Sequence, residues 1–142
     1  NVVLMGSQEE HELCERIRKQ VPQAVNICGQ TSLMDSLKLL GRSRLLVSND
    51  SGAMHLAAAV GTPTLSVFGP TTLDIGYRPW NEQAIVIQRS LSCRPCGKHG
   101  HDKCPIKTHE CMISISSDEV ISGADSLLLQ SAPQVTQQNP SR

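Results

Sequence analysis

A polar turn near the middle of the chain carries the residues best suited to hold a charged ligand. It reads Asn49-Asp50-Ser51-Gly52, and His55 follows about one helical turn later. The apolar residues 45–47 before it have no helical period and predict a buried strand, and residues 54–60 after it predict a helix. Unpaired N–H groups and the positive end of the helix dipole favour anions at such a turn. The sequence therefore predicts a phosphate-bearing ligand at residues 50–55.

A second group of candidate residues lies in a segment rich in Cys, His, Gly and Pro, residues 92–112. Four cysteines occur there with the spacing C-x2-C-x7-C-x6-C, namely Cys93, Cys96, Cys104 and Cys111. Thiolates are common ligands of structural zinc, so this spacing indicates a candidate zinc site. Two disulfides, which are disfavoured in a cytoplasmic enzyme, and unlinked thiols are the alternatives.

The order of the elements predicts the architecture that positions these residues. Short apolar runs alternate with helical segments of about ten residues, which is typical of an α/β fold with a right-handed, doubly wound parallel sheet. One domain is expected over residues 1–129, and the Gln-, Ser- and Pro-rich residues 130–142 predict a disordered tail. Leu13, Ile17 and Val21 are expected on the buried side of the first helix. The strands are expected near residues 2–5, 24–28, 45–47, 64–68 and 84–87, and the helices near 8–20, 32–43, 54–60 and from 116 onward.

Composition argues against several functional classes. The formal net charge is zero, with 13 basic and 13 acidic residues, and aromatic residues make up 2% of the chain. A nucleic-acid partner is therefore not expected. No apolar run approaches the roughly 20 residues of a membrane span. Neither G-x-G-x-x-G nor G-x-x-x-x-G-K-[ST] occurs, which disfavours a nucleotide-sugar epimerase or another dinucleotide enzyme. The chain begins at Asn1 and enters a strand at once, which suggests a piece of a longer protein.

The central motif continues beyond the turn as N-D-S-G-x-M-H-x-A-A-A, followed by G-x-P and F-G-P-T. In these residues the chain resembles the sugar-nucleotide domain of the ADP-heptose:lipopolysaccharide heptosyltransferases, glycosyltransferase family 9. Gly29-Gln30-Thr31-Ser32-Leu33 is similar to the G-x-T-S-L turn of that family. The resemblance covers about residues 1–129. It implies the C-terminal, donor-binding half of a GT-B enzyme, which has two facing Rossmann-like domains.

The resemblance also implies roles for individual residues. Thr31 matches a position near the base of the donor nucleotide, and Glu10, with Glu9 as the neighbouring choice, matches the acid that bonds the ribose. The positions that hold the diphosphate and sugar are matched by Asp50, Ser51, Gly52, Ala53 and His55. Family members invert the sugar without a metal and use a carboxylate base from the N-terminal domain. No catalytic residue and no catalytic cofactor are therefore expected in this chain.

The implied partners are an ADP-heptose-type donor, with a UDP-sugar left open, and a lipopolysaccharide core acceptor of the lipid A-Kdo type. The implied location is the bacterial cytoplasm, with peripheral association of the whole protein at the inner membrane.

Simpler interpretations of the same residues stay open at this point. Asp50 is also a preferred N-cap residue, and a single histidine such as His55 is more often structural than a ligand contact. Glu9 and Glu10 are also typical of a solvated first helical turn. The alternative function is a non-catalytic α/β module that binds an anion or a partner and contains a zinc knuckle. The concurrence of the whole motif favours a binding site over these separate explanations.

Overall fold

The computed structural model describes residues 1–101 and 103–130, and its strands and helices alternate in the predicted α/β pattern. The chain forms two compact units, one covering Asn1–Leu39 and one beginning at Leu40. The expectation of one domain over residues 1–129 stays a prediction. Of the predicted tail, Gln130 belongs to the last helix, and residues 131–142 lie outside the described residues. No described helix is both long enough and apolar enough to cross a membrane.

The first unit contains a two-stranded parallel sheet. Its elements are β1 (Val3–Leu4), α1 (His11–Gln20), β2 (Val25–Asn26) and α2 (Leu33–Leu40). The last residue of α2, Leu40, is the first residue of the second unit. Val3 pairs with Val25, and the ladder continues to Gly29, whose N–H donates to the Gly6 carbonyl at 2.9 Å. A 3-10 turn, Gln8–Glu10, leads into α1. The predicted strands and helices of this region are therefore present.

The buried side of α1 differs from the prediction. Cys14 is 8% exposed, whereas Leu13 is 49% exposed and Ile17 is 41% exposed. The Cys14 sulfur lies 3.0 Å from the sulfur of Cys28, which follows β2. Burial, with Cys14 as the next cause, raises the pKa of the Cys28 thiol to about 12. The prediction for Leu13 and Ile17 was wrong, because the side of the helix that faces Cys28 carries Cys14 instead.

The second unit is built on a three-stranded parallel sheet in the order β3-β4-β5. Its elements are β3 (Leu46–Asn49), α3 (Gly52–Ala59), β4 (Thr64–Phe68), β5 (Ala84–Gln88), α4 (Glu110–Ile113) and α5 (Ser117–Gln130). The central strand β4 is the most buried, and Leu65 and Phe68 are fully buried. Asn49 lies opposite Val67 in the register, so β3 and β4 end side by side. The five strands are those predicted, but they form two sheets rather than one.

The helix α5 packs closely on this sheet because it contains a glycine. A Cβ atom at Gly123 would lie 2.6 Å from Cδ1 of Leu65 and within 4 Å of Ile85 and Ile87. The helix α3, which connects β3 to β4, packs on both of these strands. Met54 and Ala57 are its buried residues. Residues 49–52 join the end of β3 to the start of α3, and the packing of these two elements holds this connection in place.

Candidate functional site

A cavity of about 260 Å³ lies where β3 and β4 end. Its lining comes from the ends of these two strands, from the turns that follow them, and from the cysteine-rich segment. The lining residues are Asn49, Asp50, Val67, Gly69, Pro70, Thr71, His99 and Met112. In open α/β sheets, ligands bind beyond the carboxyl ends of parallel strands. The cavity therefore lies where the sequence predicts a ligand.

Asp50 joins the two strand ends that form the floor of this cavity. The Thr71 hydroxyl donates to Oδ2 of Asp50 at 2.5 Å, and the Asp50 N–H donates to the Val67 carbonyl at 3.1 Å. Thr71 is 4% exposed. A hydrogen bond to an ionised carboxylate is stronger than one between neutral groups. Asp50 is thus a brace between β3 and the turn after β4, and the simpler interpretation of Asp50 as the N-cap of α3 does not apply.

The N-cap residue of α3 is Ser51, whose backbone is extended. Its side chain makes no cap hydrogen bond; its hydroxyl lies 2.9 Å from that of Ser48 instead. The first N–H groups of a helix have no acceptor within the helix. A Cβ atom at Gly52 would meet no atom within 4 Å. The start of α3 therefore combines N–H donors with open space at the side of Gly52 where a side chain would lie.

The other residues predicted for the diphosphate and sugar lie in the first turn of the same helix. Gly52 and His55 are exposed, and Ala53 is half-buried. Of the motif, Asp50 lines the cavity, while Ser51, Gly52, Ala53 and His55 form the helix start that adjoins Asp50. The structure thus brings together five of the seven residues predicted to bind the donor.

The remaining two, Thr31 and Glu10, belong to the first unit and have local partners there. The Ser36 hydroxyl donates to the Thr31 hydroxyl oxygen at 3.0 Å. The Glu10 carboxylate accepts the Ser7 N–H at 2.7 Å and closes a capping box before α1. Contacts of Thr31 with a base and of Glu10 with a ribose stay predictions.

Sequence reasoning missed an arginine that organises the cavity wall. The Arg94 guanidinium donates to the carbonyls of Phe68, at 3.4 Å, and of Thr71 and Arg89. It also donates to Oε1 of Gln88 at 3.2 Å. One side chain therefore ties the end of β4 and the end of β5 to the residue that holds Asp50. No sequence signal marked Arg94, because it lies between two cysteines and its acceptors are mostly backbone groups.

The cysteine-rich segment also contributes to the cavity, which the sequence did not indicate. His99 and Met112 line it, and the Tyr77 hydroxyl lies 3.2 Å from Nδ1 of His99. A Cβ atom at Gly69 would lie 2.6 Å from the Met112 sulfur. Only glycine leaves room for Met112 to lie so close to the turn after β4.

Comparison with known proteins identifies the family of this chain. A sequence model of glycosyltransferase family 9 (heptosyltransferase) matches residues 1–106. This chain belongs to glycosyltransferase family 9. Among family 9 relatives, it is 33% identical over 137 residues to lipooligosaccharide heptosyltransferase 2 of Campylobacter jejuni, covering 92% of this chain and 42% of the relative. It is 31% identical to lipopolysaccharide heptosyltransferase 2 of Escherichia coli K12, covering 91% of this chain and 37% of the relative.

Solved family 9 structures resemble this one. The ADP-heptose lipopolysaccharide heptosyltransferase II of E. coli matches with a TM-score of 0.74 and 30% identity, covering 92% of this chain and 37% of that one. A family 9 glycosyl transferase from Veillonella parvula matches with a TM-score of 0.71 and 26% identity, covering 90% and 36%. The predicted family and the Rossmann-like α/β fold are confirmed. The chain spans about two fifths of the length of these relatives.

In this family 9 chain the four cysteines of residues 92–112 are free thiols, which is not the alternative of two disulfides. Within residues 1–101 and 103–130, no three His, Cys, Asp or Glu side chains are placed so that they could hold a metal ion. The zinc site predicted from the spacing therefore stays a prediction.

Proposed function

We propose that this chain is the donor-binding part of a glycosyltransferase that transfers heptose to the lipopolysaccharide core. The observation that carries the proposal is the cavity beyond β3 and β4, with Asp50 in its floor and the uncapped start of α3 beside it. Membership of family 9 supports the reaction class. The solved E. coli relative is an ADP-heptose enzyme, which supports an ADP-heptose-type donor.

The start of α3 is proposed to hold the diphosphate. The N–H groups of Gly52 and Ala53 lie at the positive end of the helix dipole, where an anion is stabilised. The Ser51 hydroxyl and the exposed His55 are further donors within the same turn. When the bond from the sugar to the diphosphate breaks, negative charge grows on the leaving group. Donors already aimed at that position lower the barrier because they need no reorganisation during the reaction.

Asp50 has a different proposed task, since a carboxylate repels a diphosphate. One of its oxygens accepts the Thr71 hydroxyl, which holds the turn after β4 in place. A carboxylate has about four acceptor sites, so the same group has capacity for hydroxyl groups of the donor sugar. Asp50 is therefore proposed to orient the sugar and the cavity wall, while the helix start binds the phosphates.

Three further assignments complete the proposal. Thr31 is proposed to lie near the base of the donor, and Glu10 is proposed to bond the ribose. The carboxylate base that activates the acceptor is proposed to come from another part of the full-length enzyme, and transfer needs no metal. The enzyme is proposed to work in the bacterial cytoplasm, where the full protein meets a lipid A-Kdo type acceptor at the inner membrane.

Calorimetric titration of the 142-residue chain with an ADP-sugar and with the matching UDP-sugar tests the donor assignment. We expect the ADP-sugar to bind at least about tenfold more tightly, a difference of about 1.4 kcal/mol. Equal affinities would contradict the ADP assignment alone. Binding of neither nucleotide sugar would contradict the donor-binding function.

A transfer assay separates binding from catalysis. A general base typically contributes about 10²–10⁴-fold to a rate, and acceptor positioning contributes more. With radiolabelled donor and a lipid-core acceptor, we expect this chain alone to bind donor without transferring the sugar. Turnover close to that of a full-length family 9 enzyme would mean that the base lies within these 142 residues.

A further inference from the structure

The loop that carries His99 is fixed to the cavity wall on either side of this residue. The Cys96 N–H donates to the Pro70 carbonyl at 2.8 Å. Gly100 has a φ angle of 79°, and a Cβ atom there would lie 2.7 Å from Cγ of Pro70. Glycine suits both this backbone conformation and so close an approach. Because Pro70 itself lines the cavity, these two contacts hold the backbone of His99 at the same place.

A tyrosine from another part of the chain sets the orientation of the His99 ring. The Tyr77 hydroxyl lies 3.2 Å from Nδ1 of His99, and the two ring centroids are 5.7 Å apart with their planes tilted by 37°. Tyr77 follows a 3-10 turn, Leu73–Ile75, which the Gly76 N–H closes by donating to the Leu73 carbonyl at 3.0 Å. The imidazole is therefore held by its own loop and by Tyr77, although it is exposed.

The contact with Tyr77 leaves the other ring nitrogen for a ligand. A neutral imidazole carries one proton, so the nitrogen that accepts a hydrogen bond leaves the other nitrogen as the donor. When the Tyr77 hydroxyl donates to Nδ1, the N–H of the ring is at Nε2. Among residues 1–101 and 103–130, Nε2 of His99 has no hydrogen-bond partner. His99 thus brings a spare donor to the cavity that it lines.

The size and lining of this cavity suit a single sugar. Its volume is about 260 Å³, whereas pockets for drug-sized ligands usually span about 300–1,000 Å³. Asn49 and Asp50 give it polar groups, and Pro70 and Met112 give it apolar surface. A sugar presents hydroxyl groups at its edge and C–H groups on its faces, so it matches this mixed lining. The volume is too small for a whole nucleotide sugar, which places the phosphates outside it.

We propose that His99 is a specificity-determining residue that donates a hydrogen bond from Nε2 to a hydroxyl oxygen of the donor sugar. This proposal rests on the donor-binding function proposed above. A sugar hydroxyl both donates and accepts hydrogen bonds, and the ionised Asp50 can only accept them. His99 supplies the complementary donor, so the two side chains together recognise the positions of hydroxyl groups.

The proposal divides the donor between two parts of the site. The start of α3 binds the diphosphate, which leaves with the nucleotide, whereas Asp50 and His99 bind the sugar that is transferred. A change at His99 should therefore act on the affinity for the intact donor and not on the affinity for free ADP.

Calorimetric titration of the 142-residue chain with ADP-heptose and with ADP tests this division. We expect His99→Leu to weaken binding of ADP-heptose by about three- to tenfold, the effect of one lost hydrogen bond, and to leave the affinity for ADP unchanged. His101→Leu is the matched control, because His101 is an exposed histidine of the same segment that does not line the cavity. It should leave both affinities unchanged.

Two amide variants separate a contact made by Nε2 from a general effect on the loop. The side-chain amide of glutamine reaches about as far as Nε2 of histidine, and that of asparagine about as far as Nδ1. His99→Gln should therefore retain most of the affinity for ADP-heptose, whereas His99→Asn should behave like His99→Leu.

Unchanged affinity of His99→Leu for ADP-heptose would overturn the proposal. An equal loss of affinity for ADP and ADP-heptose would overturn it too, because His99 would then act on the phosphates or on the whole loop. Equal affinities of the glutamine and asparagine variants would contradict a contact through Nε2. Binding of neither ligand by the wild-type chain has a different meaning: it would contradict the donor-binding function itself, and this proposal with it.

Discussion

Two helix starts in the second unit are built in opposite ways. At α5, the Glu119 N–H donates to the Ser116 hydroxyl at 3.2 Å, and the Glu119 carboxylate accepts the Ser116 N–H at 2.9 Å. At α3, the Ser51 side chain makes no cap hydrogen bond, and the Asp50 carboxylate accepts a hydrogen bond from the Thr71 hydroxyl. A helix start leaves several N–H groups without acceptors. The start of α5 is therefore completed by its own side chains, whereas the start of α3 has no side-chain cap and is the part of the site proposed to bind the donor.

The helices of the first unit follow the pattern of α5. Ser7 and Glu10 form a capping box before α1. Before α2, the Asp35 N–H donates to the Ser32 hydroxyl at 3.2 Å, and that hydroxyl donates to the Asp35 carboxylate at 2.6 Å. Ser32 and Ser116 thus close the starts of α2 and α5 with their side chains. The starts of α3 and α4, two helices next to the cavity, have no side-chain cap, and of these two only α3 is long enough for a developed helix dipole.

The largest effect is expected from substitutions in the α3 start. Asp50→Asn and His55→Ala should each weaken binding of an ADP-sugar by about 1.5–3 kcal/mol, roughly ten- to a hundredfold, because each removes a charge-assisted hydrogen bond. Asp118→Asn, in the first turn of α5, is the matched control and should leave the affinity unchanged. Unchanged affinity for both α3 variants, with unchanged circular dichroism, would remove the two residues from the site.

Alanine substitutions at two glycines near the cavity should affect the stability of the fold and the affinity for the donor differently. At Gly69 a methyl group would push the flexible Met112 side chain aside, so Gly69→Ala should lower the free energy of unfolding by about 1 kcal/mol. At Gly52 the space is open, so Gly52→Ala should leave stability unchanged or slightly higher. Its methyl group should nevertheless weaken donor binding, because it enters the space proposed for the phosphates. Urea unfolding and calorimetry measure the two effects. Equal stability of both variants would contradict the close packing of Met112.

A smaller effect is expected from pH at the start of α5. The Arg89 side chain, and after it the Ser116 N–H, lowers the pKa of Glu119 to about 2. The folded-state pKa lies below the unfolded value of about 4.3, so this carboxylate stabilises the fold at higher pH. Its contribution should be lost as the pH falls from about 4.5 to 2. In Glu119→Gln this part of the pH dependence of the unfolding midpoint should disappear, while donor affinity at neutral pH stays the same. A pH profile identical to that of the wild type would contradict the assignment.

The sequence predicted the features that depend on local patterns. The strand Thr64–Phe68 has the bounds that were predicted for it, and the caps at Ser32 and Ser116 are present. The residues predicted for donor binding at α3 lie together because they are close in sequence. Their grouping follows from one turn and one helix, which a local pattern can show.

Features that depend on distant contacts could not be predicted. The hydroxyl that holds Asp50 lies 21 residues away in the sequence, and Arg94 reaches carbonyls up to 26 residues away. Cys14, on the buried side of α1, contacts Cys28, which lies 14 residues away, although apolar residues marked another side of the helix. Nothing in a stretch of ten residues distinguishes these partners from others of the same type.

The most direct test of the account is a map of amide chemical shifts in the isotopically labelled chain during titration with ADP. The account predicts that the Gly52 and Ala53 amides shift most, and that the Ser117 and Asp118 amides at the start of α5 stay unchanged. Equal shifts at both helix starts would contradict the claim that the open start of α3 holds the diphosphate. The absence of any saturable shift at Gly52 and Ala53 would contradict it as well.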